Sequence, residues 1–229
     1  MKKEIIVLSL GGSLIIPEEV DYRYLEKLKK IVLKHTKKYK FIFVCGGGSI
    51  ARKYIAALKK NKTNETLQSF AGIGTTRMNA RFMSYFFNLD PKEGIPHTME
   101  LVEKRIKNHN IIFCGALEYK PNQTSDSTAA LVAKHFKTKF INLTNVKGLY
   151  TKNPKKYKDA KFIEKISWKD FDNLAQKMTF KPGQHFVLDQ TASKMIKKYN
   201  LPTFILGQDT KQLDNFLNNK KFIGTTIQG

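Results

Sequence analysis

Short apolar runs alternate with amphipathic stretches along most of this 229-residue chain. Residues 4–10 form an almost unbroken apolar run of strand length that stops at Gly11-Gly12. Residues 21–38 then place Tyr24, Leu25, Leu28, Ile31 and Val32 at helical spacing, with Lys on the opposite face. The alternation repeats. A strand at 40–45 ends in Gly46-Gly47-Gly48, a helix at 49–60 turns Ile50, Tyr54, Ala57 and Leu58 inward, and Asn64 can cap a long helix at 65–89. A helix at 99–107, a strand at 110–114, a helix at 126–136 and a strand at 139–144 follow. Beyond Tyr150 the pattern loosens into a strand at 161–166, helices at 168–176 and 190–199, a strand at 201–206, a helix at 210–217 and a strand at 222–227. Strands too apolar to face water, separated by helices, predict a mainly parallel central sheet in a single three-layer α/β/α sandwich. No stretch is rich enough in Pro, Gly or Ser to divide it, so residues 1–229 are expected to form one domain.

Composition changes this picture little, since 41% hydrophobic residues suffice to close a core. The net charge of +22 raises the question of nucleic acid. Only five of the 41 basic residues are Arg, the usual bidentate reader of bases and phosphates. The Lys residues are scattered in pairs such as Lys29-Lys30, without a basic arm. A solvated Lys surface on an enzyme of anionic ligands fits better than a dedicated nucleic-acid partner. Cys45 and Cys114 each end an apolar run just before Gly, which suits buried thiols in a reducing compartment. Glu4 and the Gly11-Gly12 pair interrupt what would otherwise mimic a signal peptide. No run approaches about 18 apolar residues, so no membrane span is expected and the chain reads as cytoplasmic.

Three small-residue loops follow strands: Leu10-Gly11-Gly12-Ser13, Cys45-Gly46-Gly47-Gly48-Ser49, and Gly115-Ala116 through Gln123-Thr124-Ser125-Asp126. Glycine lets backbone N–H groups approach a ligand closely, and helix N-termini favour anionic oxygens. Strand C-terminal ends are where open α/β sheets bind ligands. Two such loops side by side suit two phosphates facing each other, hence a transfer between anionic substrates. The P-loop and dinucleotide fingerprints are missing, and so is a Ser nucleophile elbow. The histidines have no metal-ligand spacing, so no metal residues are assigned.

These loops, with Arg52, Gly72-Ile73, Thr76-Arg77-Met78-Asn79-Ala80, Ala129-Ala130, Leu143-Thr144-Asn145-Val146, Gly148-Leu149-Tyr150, Ala192-Ser193-Lys194 and Gly224-Thr225-Thr226-Ile227, resemble the amino acid kinase family. Within it they are most similar to the archaeal-type UMP kinases, with the motifs in order across nearly the whole chain. The resemblance implies transfer of the ATP γ-phosphoryl group to the phosphate of UMP, with Mg²⁺. It implies an acceptor lobe over about 1–140 and an ATP lobe over about 141–229. By that resemblance Gly12, Ser13 and Gly48 lie at the ATP phosphates, Gly47 meets the UMP phosphate, and Arg52 bridges the two. Thr144, Tyr150 and Asn153 match adenosine-side positions, while Ser69, Gly115, Gln123, Thr124 and Ser125 match the UMP side. Lys194 matches the lysine that stabilises the transferring group, and Asp126 the acid that orients it. Read without the resemblance, Asp126 suits a helix N-cap and Lys194 one more surface Lys.

Some positions depart from the family pattern. Ser9 stands where many members carry Lys, Ser69 where UMP kinases usually place Asp, and Lys147 and Asn153 where Asp is common. The loop 116–123 is longer than the usual archaeal version, and its Tyr119 could stack on a base. These departures leave two alternatives: a kinase of this fold with another small acceptor, or a catalytically silent nucleotide-binding protein. The resemblance also implies a homo-oligomer, a hexamer built as a trimer of dimers. Met78, Phe82, Tyr85, Phe86 and Phe87 are a candidate interface.

Overall fold

β1 (Glu4–Leu10) is buried from Ile6 onward, as a strand with neighbours on both edges and helices on both faces must be. It pairs in parallel with β2 (Tyr39–Cys45) on one side and β4 (Phe140–Leu143) on the other. The computed structural model describes residues 3–119, 123–154, 156–177 and 187–229. Its remaining strands are β3 (Ile111–Cys114), β5 (Leu149–Tyr150), β6 (Phe162–Ile163), β7 (Lys165–Ile166), β8 (Thr203–Leu206) and β9 (Gly224–Ile227). Its helices are α1 (Gly12–Ile15), α2 (Tyr22–His35), α3 (Gly48–Lys60), α4 (Glu65–Phe86), α5 (Met99–Asn108), α6 (Ser125–His135), α7 (Trp168–Lys177), α8 (Gln190–Lys198) and α9 (Thr210–Leu217).

The central sheet runs β3-β2-β1-β4-β8-β9-β7, parallel through β8, with β9 antiparallel to β8. The predicted sandwich of a mainly parallel sheet between helices is therefore present. Side chains alternate along each strand and build two cores. Ile6, Leu8, Phe41, Phe43, Phe113 and Ile141 face α2, α4 and α9, whereas Val7, Ile42, Val44, Ile112 and Phe140 face α5, α6 and α8. Cys45 belongs to the first core and Cys114 to the second. Their thiols lie on opposite faces, and burial raises both pKa values, that of Cys114 to about 12.

Helix starts follow local chemistry. Asp21 accepts from the N–H of Tyr24 at 3.0 Å, and Asn64 caps α4 by accepting from Leu67 at 2.9 Å, as its sequence position suggested. Three expectations need correction. The apolar run at 161–166 is not one strand. Phe162–Ile163 pairs with Leu149–Tyr150 in a separate hairpin, and Lys165–Ile166 joins the main sheet beside β9. The helix at 48–60 buries only Ala51, and Tyr54 is 57% exposed, because α4 and the glycine turn cover one narrow strip of it. Of the five proposed interface residues, Phe87 is buried against Phe43 and Phe113, and Phe82 and Phe86 pack on the same core. Only Met78 and Tyr85 stay exposed.

Candidate functional site

Strand order climbs outward from β1 in one direction through β2 and β3, and in the other through β4 and β8. The chain reversal between β1 and β4 opens a crevice at their C-terminal ends, the usual ligand position in such sheets. The first two glycine loops meet there. The N–H of Gly11 donates to the Leu143 carbonyl at 3.1 Å, and that of Gly46 to the Leu10 carbonyl at 2.9 Å. A Cβ added to Gly12 would lie 2.2 Å from the Gly48 nitrogen and 2.6 Å from the Gly46 oxygen. The two turns therefore touch backbone to backbone, and only glycine permits the contact. Gly48 also adopts φ +63°, a left-handed conformation that disfavours other residues. Asn79, buried in α4, donates from Nδ2 to the Gly46 carbonyl at 2.7 Å and so fixes the second turn from behind. Gly48 opens α3, so first-turn N–H groups without intrahelical acceptors point into the crevice. Gly12 and Ser13 open α1 beside them, and Arg52 is exposed one turn into α3.

A second wall of the crevice comes from α4 and the loop after β3. Gly115 lies flush on α4, where a Cβ would come within 2.6 Å of the Thr76 Oγ1. The N–H of Ala116 donates to that hydroxyl at 2.9 Å, and Arg77 donates to the carbonyls of Ala116 and Leu117. Gly47 sits close to Thr76 and Gly72 of the same helix. Ser69 is exposed next to Phe70. Tyr119 stacks on the Phe70 ring at 5.1 Å between centroids, so in this state its partner is protein. Positions 120–122 of the loop lie outside the described residues. Gln123 donates to Thr128 at 3.1 Å, while its Oε1 is buried with no partner among the described residues.

Thr124, not Asp126, is the N-cap of α6. It accepts from the N–H of Ser127 at 3.1 Å and completes a capping box with Ser127. Asp126 is thereby released to face the sheet, where Ser9 donates to its Oδ1 at 2.6 Å. Ser125 lies beside Gly46. Thr124 also hydrogen-bonds Asp189, the N-cap of α8, which accepts from the N–H groups of Thr191 and Ala192. Although the Asp126 residue keeps some surface, burial of its carboxyl and the nearby Asp189 charge push its pKa up to about 7, against the opposing Ser9 hydrogen bond. Lys194 is exposed on α8, five positions past Asp189, and makes no hydrogen bond or ion pair among the described residues. The partner the structure gives Asp126 is Ser9, and Asp189 is the charged neighbour that sequence reasoning passed over. Its signal was Leu188-Asp189 before a helix, which reads simply as a cap.

On the other side of the crevice a cavity of about 410 Å³ opens between β5, the loop after β8 and the start of α9. Tyr150, Lys147, Asn145, Gly207, Asp209 and Gln212 line it. Tyr150 is held edge-to-face on Phe162 at 5.4 Å. Thr144 stands beside the cavity, its N–H bound to the Leu206 carbonyl at 3.0 Å, and Asn153 precedes the lining Pro154. The contribution of 207–212 was not anticipated, because those residues read as an ordinary turn and helix cap.

No group of three His, Cys, Asp or Glu side chains suited to a metal occurs among the described residues. No helix among the described residues is long and apolar enough to cross a membrane. The sequence profile of the amino acid kinase family matches residues 4–207. A uridylate kinase from Thermoplasma volcanium is 32% identical over 98% of this chain and 98% of its own length. One from Pyrococcus abyssi is 31% identical over 97% of this chain and 99% of its own. The crystal structure of uridylate kinase from Archaeoglobus fulgidus superposes with a TM-score of 0.82 at 27% identity, covering 97% of this chain and 99% of that one.

Proposed function

The chain belongs to the amino acid kinase family, and from that premise we propose that it transfers the γ-phosphoryl group of ATP to the phosphate of UMP, giving UDP and ADP. The observation that carries this reading is the contact of Gly12 with Gly48, which abuts two anion-binding turns at the mouth of one crevice. Phosphoryl transfer needs in-line positioning and charge neutralisation more than covalent help. In this reading UMP lies along α4 and the loop after β3, its phosphate at Gly47. Ser69 meets the ribose, and Gly115, Gln123, Thr124 and Ser125 line the nucleoside. The unpartnered Oε1 of Gln123 suits a donor such as the uracil N3–H. ATP enters from the opposite cavity past Tyr150, with Thr144 and Asn153 beside its adenosine and its phosphates at Gly12, Ser13 and Gly48. Arg52 bridges the two phosphates, Lys194 neutralises the transferring group, and Asp126 orients that charge.

Mg²⁺ needs only a few protein oxygens when phosphates supply the rest. Asp126 is engaged by Ser9, and Asp189 by Thr124 and two backbone N–H groups. These residues do not form a ready protein cage, so Mg²⁺ belongs with the phosphates of ATP, where it would offset their charge. A cytoplasmic homo-oligomer, built as a hexamer from dimers, completes the proposal. Met78 and Tyr85, two turns apart on α4, leave apolar surface exposed for the dimer.

Coupled ADP-release assays with UMP, CMP and small carboxylate or carbamate acceptors test the reading. Turnover is expected with UMP. Turnover with another acceptor and none with UMP overturns it, as does tight nucleotide binding without turnover.

A further inference from the structure

Ser9 is fully buried on the face of β1 that packs beneath α6, among Val7, Ala129 and Ala130. A hydroxyl there costs stability unless it is bonded. A small apolar residue would fit the same layer, so the hydroxyl calls for an explanation. Its O–H donates to Asp126 at 2.6 Å. The neighbouring Asp189 accepts from three donors, the Thr124 hydroxyl and two backbone N–H groups. Asp126 has the Ser9 hydroxyl.

We propose that Ser9 is a positioning residue for the transfer: it fixes the Asp126 carboxyl beside the junction of the two glycine turns and favours its ionised form next to Asp189. The proposal rests on the reading that phosphoryl transfer occurs at that junction. An ionised Asp126 attracts and orients the cation that neutralises the transferring group, whereas a neutral one does not.

The surroundings support this role. Of the elements packed on α6, β1 supplies Ser9, β2 carries Lys40, Ile42 and Val44 on this face, with the Lys40 ammonium bonded to the Ile106 and Lys107 carbonyls at the end of α5, and β4 carries the neutral Asn142. From α8 comes Asp189, with Lys194 exposed beyond it. Burial and Asp189 both favour the protonated form of Asp126, and the Ser9 hydrogen bond opposes them. Because the folded state holds this proton more tightly than the unfolded chain, stability falls as pH rises from the ordinary carboxylate range to about 7. Removing the hydroxyl extends that loss to higher pH, and moves the acid limb of turnover in the same direction.

The test combines Ser9→Ala, Asp126→Asn and the double variant. Asp126 is titrated by carboxyl carbon NMR, with Asp126→Asn for assignment, and kcat and KM for UMP and ATP are measured across pH. In Ser9→Ala the Asp126 midpoint and the acid limb of kcat are expected to rise together by about one pH unit. At pH 7 kcat should fall roughly fivefold with both KM values nearly unchanged, the signature of a lost transition-state interaction. On the Asp126→Asn background Ser9→Ala should have no further effect. An unmoved Asp126 titration, or the same loss in both backgrounds, overturns the proposal. Should the wild-type chain leave UMP untouched, the functional reading is what fails, and the carboxyl titration still decides the link from Ser9 to Asp126.

Discussion

Around the glycine turns Gly12, Gly48 and Gly115 bring backbone directly onto backbone, whereas the cavity beside β5 is walled by side chains such as Tyr150, Lys147 and Gln212. A backbone contact admits one residue type and transmits any error to both loops at once. A side-chain wall can lose one member and keep its shape. Of the departures from the family pattern, Lys147 lines this cavity and Asn153 precedes its lining Pro154, whereas Ser9 lies in β1 and Ser69 on α4.

The sharpest break of this contrast is Gly12→Ala. Its new Cβ has no room against Gly48, so the two turns must separate, and displacement of about 1 Å is expected to cost 10²-fold or more in kcat. Near-normal turnover would show that the contact is incidental. Lys194→Ala comes next, with a loss of about 10²-fold in kcat and little change in ATP affinity, as befits a charge used in the transition state. An unchanged rate removes Lys194 from the mechanism. In the side-chain cavity, Tyr150→Ala is expected to raise KM for ATP roughly tenfold, the scale of one lost base–aromatic contact, while kcat holds. An equal fall in kcat would mean that the wall also positions the phosphates. The smallest effect has the opposite sign. Gly74 sits mid-helix in α4 with open space around a would-be Cβ, so Gly74→Ala should stabilise the chain by about 0.5–1 kcal/mol, read as a rise in Tm without loss of activity. A destabilised variant would mean that this part of α4 is covered in the assembled protein.

Much of this architecture was readable in one dimension. Apolar runs marked β1 and β2, helical spacing marked α2, and Asn64 announced the start of α4, because each signal is carried by residues within a turn or two. The misread regions depended on distant partners. The run at 161–166 divides because Leu149–Tyr150 claims its first half and Gly224–Ile227 its second. Phe87 turns inward because Phe43 and Phe113 leave a place for its ring. The pairing of Ser9 with Asp126 spans 117 positions, beyond the reach of periodicity.

Local chemistry thus specified the alternation of strand and helix, the caps and the glycine turns, since these arise from neighbouring residues and the steric limits of the backbone. Three-dimensional packing chose which turn meets which, set Asp189 beside Asp126, and shaped the cavity beside β5 with residues 207–212. Burial and charge proximity exist only between segments that the fold brings together, and they govern the chemistry of the crevice.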